Sequence, residues 1–449
     1  MTISKLNEDV LYLILKTFKD HKPTLYSCLL VNKIWCKIII PILWRDPWKG
    51  LESKKEKLLL NVIISHLSEE SKNNLDQKIK KPLFNYITFC KHLNFDKFYE
   101  IFKIPIINNE IVNLFINENT NFTHIYIPYQ FDYKIHIIPE AKNCFSELGF
   151  ISCDSNINDD VLDGLTEICK PIKELKLFIR DHNNYGFVKL IKAIRKLSNF
   201  HLLNEKYSKN NESFCEIIEN SLIQHAETIQ YFKIIREPVT KILESFVNLK
   251  RLELGRADWS SWNNLENVSL PFLQILKADH ISTRYLTSLI KNTSGYLTVI
   301  KINNGYYNEI SNKKIIQAIY QNCPRLENLK LDIMNNNILE LKQLLINCQY
   351  LNKLHILGFS SGWECFYWDK AFEILAESSP TNLFKFEFSD YFSFLEYLKL
   401  FFDSWKGRHP MIFKYNWKLH LHNNESDIIE LLERSKAQGI IKKIIKKRG

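Results

Sequence analysis

Apolar residues along this 449-residue chain follow two different rhythms. From about residue 90 a short motif returns in which large apolar positions are spaced as L-x-x-L-x-L. Its clearest copies begin with a cysteine: Cys169-x-x-Ile172-x-x-Leu175-x-Leu177, Cys323-x-x-Leu326-x-x-Leu329-x-Leu331 and Cys348-x-x-Leu351-x-x-Leu354-x-Ile356. Copies without the cysteine centre on Leu252, Ile300 and Phe386, and looser ones on Leu93, Ile125, Leu148, Phe200, Phe232 and Leu276. The mean spacing is about 27 residues, inside the range typical of short strand–helix repeats. Two-residue alternation within L-x-L predicts a strand with alternate residues facing a core. Between motifs, 315–323 and 338–348 carry apolar residues three and four apart, which predicts helices. One such unit cannot bury its apolar face alone, so neighbours must stack. The cysteine falls where helix turns into strand, a place for a small buried residue.

Residues 1–48 do not follow this repeat and read as three short helices. Asn7 is placed to cap the first, with Glu8 and Asp9 in its first turn and an apolar stripe of Val10, Leu11, Ile14, Leu15 and Phe18. His21, Lys22 and Pro23 predict a break, Thr24 the start of a second helix, and Pro41 the end of a third that begins near Lys33. So small a unit has more large apolar side chains than it can cover. Exposed apolar surface rimmed by basic residues predicts a partner. The alternative is an N-terminal capping subdomain with those residues folded inward.

Composition narrows the function. The formal net charge is +10, but residues 1–50 and 436–449 hold the whole excess, leaving a neutral middle where a duplex-binding body needs a broad basic face. The tail IIKKIIKKRG reads as an import or membrane-surface patch, or more simply as a solvated helix end. The cysteines form no CxxC pair and no zinc spacing with histidine, so they read as reduced, buried residues. No apolar run is long enough to span a bilayer and the first residues lack a signal-peptide pattern, which predicts a soluble intracellular protein. Phosphate loops, HExxH, G-x-S-x-G and paired carboxylates are missing. His420 and His422 share a strand face without a third ligand. The chain is thus expected to be non-enzymatic, with no cofactor or metal.

Over roughly residues 90–390 the motif resembles the cysteine-containing leucine-rich repeats. The N-terminal order Leu6-x-Glu8-x-Val10-Leu11-x-x-Ile14, then Cys28-Leu29-x-Val31-x-x-x-Trp35, then Leu43-Trp44 resembles an F-box, with Asn7 where that family usually has proline. The resemblance implies an α/β architecture: a three-helix F-box (1–48), a helical linker (49–85), a leucine-rich-repeat solenoid with a parallel concave sheet, convex helices and a C-terminal cap (86–435), and a basic tail (436–449). It further implies docking on a Skp-type adaptor and, through it, a cullin, in a ubiquitin ligase of the cytoplasm or nucleus. Leu6, Leu11, Ile14, Cys28, Leu29, Val31, Trp35 and Trp44 would form the docking surface or the helix core beneath it. The competing expectation is a repeat scaffold without a ligase role. Neither nucleic acid nor membrane is expected as a partner.

The middle residue of L-x-L should leave the core for the opposite face of the sheet. Those positions include Lys176, Lys233, Lys277, Lys301, Lys330 and His355, as well as His201. Stacked in register they would form a cationic stripe suited to an acidic or phosphorylated protein substrate, or simply solvated lysines. Aromatic loops after the strands (Trp259 and Trp262; Tyr306 and Tyr307; Trp363, Phe366, Tyr367 and Trp368) would serve either as binding anchors or as packing between repeats.

Overall fold

The computed structural model describes residues 7–74, 80–102, 109–168, 171–180, 182–204, 212–255, 262–303, 308–359, 366–389, 395–415 and 425–446. The chain divides into two compact units, Met1–Phe200 with Ser208–Ser221, and His201–Tyr207 with Leu222–Gly449. The first opens with helices α1 (Glu8–Thr17), α2 (Lys22–Leu29), α3 (Lys33–Trp44), α4 (Ser53–Ile64) and α5 (Glu69–Asn74). Strands β1 (His92–Asn94), β2 (His124–Tyr126), β3 (Phe150–Asp154) and β4 (Glu174–Ile179) follow, and the division between units falls within β5 (Asn199–Asn204). The second unit holds β6 (Tyr231–Ile234), β7 (Arg251–Leu254), β8 (Ile275–Asp279), β9 (Val299–Asn303), β10 (Asn328–Met334), β11 (Lys353–Phe359), β12 (Lys385–Ser389), β13 (Met411–Tyr415) and β14 (Ile441–Lys446). In each unit the strands lie in sequence order and pair in parallel, with helices or short helical turns between them.

The two-residue period decides what each strand buries. In β4, Leu175, Leu177 and Ile179 are buried while Glu174, Lys176 and Phe178 are half-exposed. Parallel register aligns the central apolar residues. Leu93 pairs with Ile125, and in the second unit Phe232, Leu252, Leu276, Ile300, Leu329, Leu354, Phe386 and Phe413 form one continuous row. One copy differs from its sequence reading. Ile151, not Leu148, pairs with Ile125 and Leu175, so the outward position in β3 is Ser152 rather than Gly149. The residues Phe145-Ser-Glu-Leu148 instead form the turn before the strand, with Phe145 and Leu148 buried and Ser146 and Glu147 exposed.

Helices cover the apolar rows from one side. Cys323 and Cys348 cap the C-termini of Glu309–Asn322 and Ile338–Asn347, both fully buried, at the turn where the motif placed them. Polar satisfaction also runs from repeat to repeat. Buried Asn312 donates to the Asp332 carbonyl at 2.9 Å, and its Oδ1 accepts from the Met334 amide and the Asn337 side chain, both at 3.1 Å. Buried amides without partners would cost on the order of 1–3 kcal/mol each.

Two boundaries in the N-terminal helices depart from the local signals. Pro23 sits in the first turn of α2 instead of before it, where its missing N–H costs nothing. Pro41 lies inside α3, which continues to Trp44. The last turn persists because Ile42 and Leu43 pack on the module's core and the Trp44 ring lies 4.7 Å from Tyr86. The expected basic tail is also corrected. Residues 441–446 are a strand paired with β13, not a helix end, and Ile440 and Ile441 are buried.

Candidate functional site

α1 to α3 fold around Leu11, Leu15, Leu25 and Ile39, with Cys28, Leu29, Trp35, Ile38 and Leu43 partly buried against them. Asn7 Oδ1 caps α1 by accepting from the Asp9 amide at 3.1 Å, and Asn32 Oδ1 caps α3 from the Trp35 amide at 3.0 Å. Because Leu11 and Leu15 point inward, residues three and four apart on the other side of α1 point out. These are Val10, Leu13 and Ile14, all exposed, Leu13 at 61%, and the C-cap residue Phe18 is exposed beyond them. Leu30 (88%) and Val31 (55%) add to the exposed apolar surface at the turn into α3. The eight residues expected for docking therefore separate. Leu11 is core, Cys28, Leu29 and Trp35 are its partly covered flank, Trp44 packs on Tyr86, and Ile14 and Val31 face solvent. Leu6 lies outside the described residues. Leu13 and Leu30 had been passed over, although the helical period relative to Leu11 and Leu15 could have singled out Leu13. A cleft of about 530 Å³ also opens among α2, α3 and α4, lined in part by Tyr26, Leu29, Leu43, Trp44, Leu58 and Lys55.

The module is joined firmly to the first repeat. The Lys91 amide donates to the Arg45 carbonyl at 2.9 Å, and buried Trp48 donates from Nε1 to the His92 carbonyl at 2.8 Å while its ring packs between Phe98 and Phe115. On the helix-free face of this unit His92 and His124 stack with ring centres 3.9 Å apart. Burial lowers both to about 4, helped at His92 by Arg45 and Lys49 and at His124 by the His92 imidazole and Arg45. Asp46 Oδ2 lies 3.3 Å from His92 Nδ1, and with neutral imidazoles near pH 7 this is a contact between a carboxylate and a neutral ring. Lys176, the one candidate lysine in this unit, pairs in register with Ser152, and its ammonium lies 4.5 Å from the Phe178 ring centre.

The remaining candidate lysines all lie in the second unit, on one row of its helix-free face. Register carries that row through Lys233, Glu253, Lys277, Lys301, Lys330, His355, Glu387 and Lys414. It is not the uninterrupted cationic stripe expected. Glu253 draws Lys277 to 2.6 Å, Lys233 to 3.6 Å and Arg251 Nε to 2.9 Å. Burial opposes its ionisation, but the hydrogen bonds and charges of Lys277 and Arg251 outweigh it and hold its carboxyl at about 2. Beyond Lys330, His355 and Glu387 are both buried. Glu387 lies 3.6 Å from His355 Nδ1 and 3.2 Å from Lys414 Nζ, and His355 Nε2 meets Ser389 Oγ at 2.9 Å. His355 is therefore a member of a closed network rather than an outward-facing contact. Between these two groups stands Lys301, with no carboxylate within ion-pair distance among the described residues. Burial, then Lys353 and Lys277, push its ammonium below the ordinary lysine value.

Of the loop aromatics, Trp262, Phe366 and Trp368 are buried among the repeats, and Tyr367 is exposed. Trp259, Trp363, Tyr306 and Tyr307 lie outside the described residues, as do His420, His422, Cys169 and Cys365. Among the described residues the cysteines are free thiols, no group of His, Cys, Asp and Glu is arranged to hold a metal ion, and no helix is long and apolar enough to cross a membrane. Comparison with protein-family models and with curated proteins finds no match.

Proposed function

We propose that this chain is the substrate-recognition subunit of an SCF-type ubiquitin ligase, an F-box module followed by leucine-rich repeats that hold the protein to be ubiquitinated. The observation that carries the reading is the outward apolar face of α1 and the α2–α3 turn, Leu13, Ile14, Leu30 and Val31, left over after the module has filled its own core. Surface of this kind marks a protein interface. The ordered strand–helix repeats behind it, each bearing a half-polar face, suit the presentation of a bound protein. Catalysis would belong to other subunits, and this chain would contribute proximity. The excess of basic over acidic residues in 1–50 would speed encounter with an acidic adaptor more than tighten the complex.

The test is co-expression with a Skp-type adaptor. A one-to-one complex is expected, and Leu13→Asp with Leu30→Asp should abolish it while leaving the unfolding temperature within a few degrees. Absence of the complex with the intact chain rejects the assignment. It would leave the second reading, a repeat scaffold, which is favoured by the tight Trp48 attachment of the helices to the first repeat.

A further inference from the structure

Lys277, Lys301 and Lys330 are direct cross-strand partners in β8, β9 and β10. Adjacent strands lie about 4.8 Å apart, and like charges set opposite one another destabilise a sheet. Elsewhere on the same row the fold has answered this cost with a carboxylate. Glu253 serves Lys233, Lys277 and Arg251, and Glu387 serves Lys414 and His355. At Lys301 no carboxylate of the described residues lies within ion-pair distance, Glu387 and Glu253 acting on it only from further off, and Lys353 on β11, one row over, adds to the repulsion it feels. A local rule broken where the neighbouring positions obey it is the mark of a site waiting for a ligand. The missing component is an anion.

We infer that the row centred on Lys301 is an oxyanion-binding site for an extended acidic peptide, whose phosphomonoester or clustered carboxylates complete the ion pairing that the sheet leaves open. A peptide fits better than a nucleic acid. Glu253 and Glu387 bound the site on both sides, so the face offers one short cationic stretch rather than the long basic track a sugar–phosphate backbone requires. Ammonium groups partly withdrawn from water bind oxyanions more strongly than solvated lysines do. This inference names the substrate class for the receptor proposed above and rests on that reading only in calling the ligand a substrate.

Fluorescence anisotropy on the full chain tests it with labelled decapeptides: one of glutamate, one with a central phosphoserine pair, and one of glutamine. Both acidic peptides, or either alone, should bind at least tenfold more tightly than the glutamine peptide, and their ranking tells carboxylate from phosphate. Lys301→Gln should weaken that binding about tenfold or more and Lys301→Arg should restore it. Lys291→Gln, an equal charge change at the C-terminal end of the Thr283–Lys291 helix, should leave it intact. Inorganic pyrophosphate should displace the peptide from the unaltered chain, a readout that survives if Lys301→Gln fails to fold. Equal binding of all three peptides, equal weakening by the Lys291 and Lys301 variants, or no displacement by pyrophosphate overturns the inference. Tighter binding of a dT decanucleotide, weakened by Lys301→Gln, overturns it in favour of nucleic acid. Loss of adaptor binding with peptide binding intact would end the ligase reading alone, and the converse would end only this one.

Discussion

Glu253 gathers Lys233, Arg251 and Lys277 on one carboxylate whose side chain is only 12% exposed. Its folded value of about 2 lies below the 4.5 of an unperturbed glutamate, so folding favours the ionised form. The resulting stabilisation is fully present above about pH 4.5 and is lost as pH falls through 2. Glu253→Gln is expected to lower stability at pH 7 by on the order of 1–3 kcal/mol, and the gap to the unaltered chain should shrink steadily below pH 4.5. Unfolding temperatures measured from pH 7 to pH 2.5 check this, and parallel curves would mean that the three cations are satisfied elsewhere. At this scale the sequence was informative about the apolar residues and poor about the charged ones. The motif cysteines read as buried, and Cys323 and Cys348 are, with burial driving both thiols well up, Cys348 to about 12. The lysines read as one stripe because spacing along the chain gives the row a residue occupies, not whether a glutamate on the adjacent strand neutralises it.

A helix displays both of its faces at once, and α1 allows a direct comparison of them. Leu11 is 4% exposed and Leu13 is 61% exposed, although both belong to the same apolar run. Leu11→Ala should cost about 2–5 kcal/mol through the cavity it leaves, whereas Leu13→Ala should change stability by less than about 0.5 kcal/mol. Urea denaturation of the two variants separates them. A large loss at Leu13 would mean that the outward face is covered within the chain, removing the support for a docking surface. Local signals gave the existence of α1, α2 and α3 and the cap at Asn7, because a cap is formed within one turn. They misplaced two helix ends at proline. Pro23 opens α2, and Pro41 is carried inside α3 because Leu43 and Trp44 gain more by packing than the helix loses at one missing N–H. The shift of the β3 centre from Leu148 to Ile151 has the same origin, since pairing with Ile125 and Leu175 fixes the register.

For the molecule as a whole, parallel strands that pair only with sequence neighbours make stability a sum of nearest-neighbour terms within each unit. β14 covers the outer edge of β13, and its exposed Lys442 and Lys443 discourage pairing with further strands. Deleting residues 438–449 removes Ile440 and Ile441 from the core and uncovers β13. Hydrogen exchange should then lose protection in β13 and β12 while β6 to β8 keep theirs, and uniform loss across all of them would show a single cooperative block instead. The sequence alone determined the repeat, its strand–helix alternation and the identity of the buried rows, because these follow from apolar periodicity that any stacking must satisfy. Tertiary structure decided which apolar residues of the first three helices remain uncovered, that residues 441–446 of the basic tail are a strand, and that, among the described residues, Lys301 stands without a carboxylate at ion-pair distance while Lys233 and Lys277 share Glu253. Those outcomes depend on groups brought together from distant parts of the chain, and no local spacing encodes a contact of that kind.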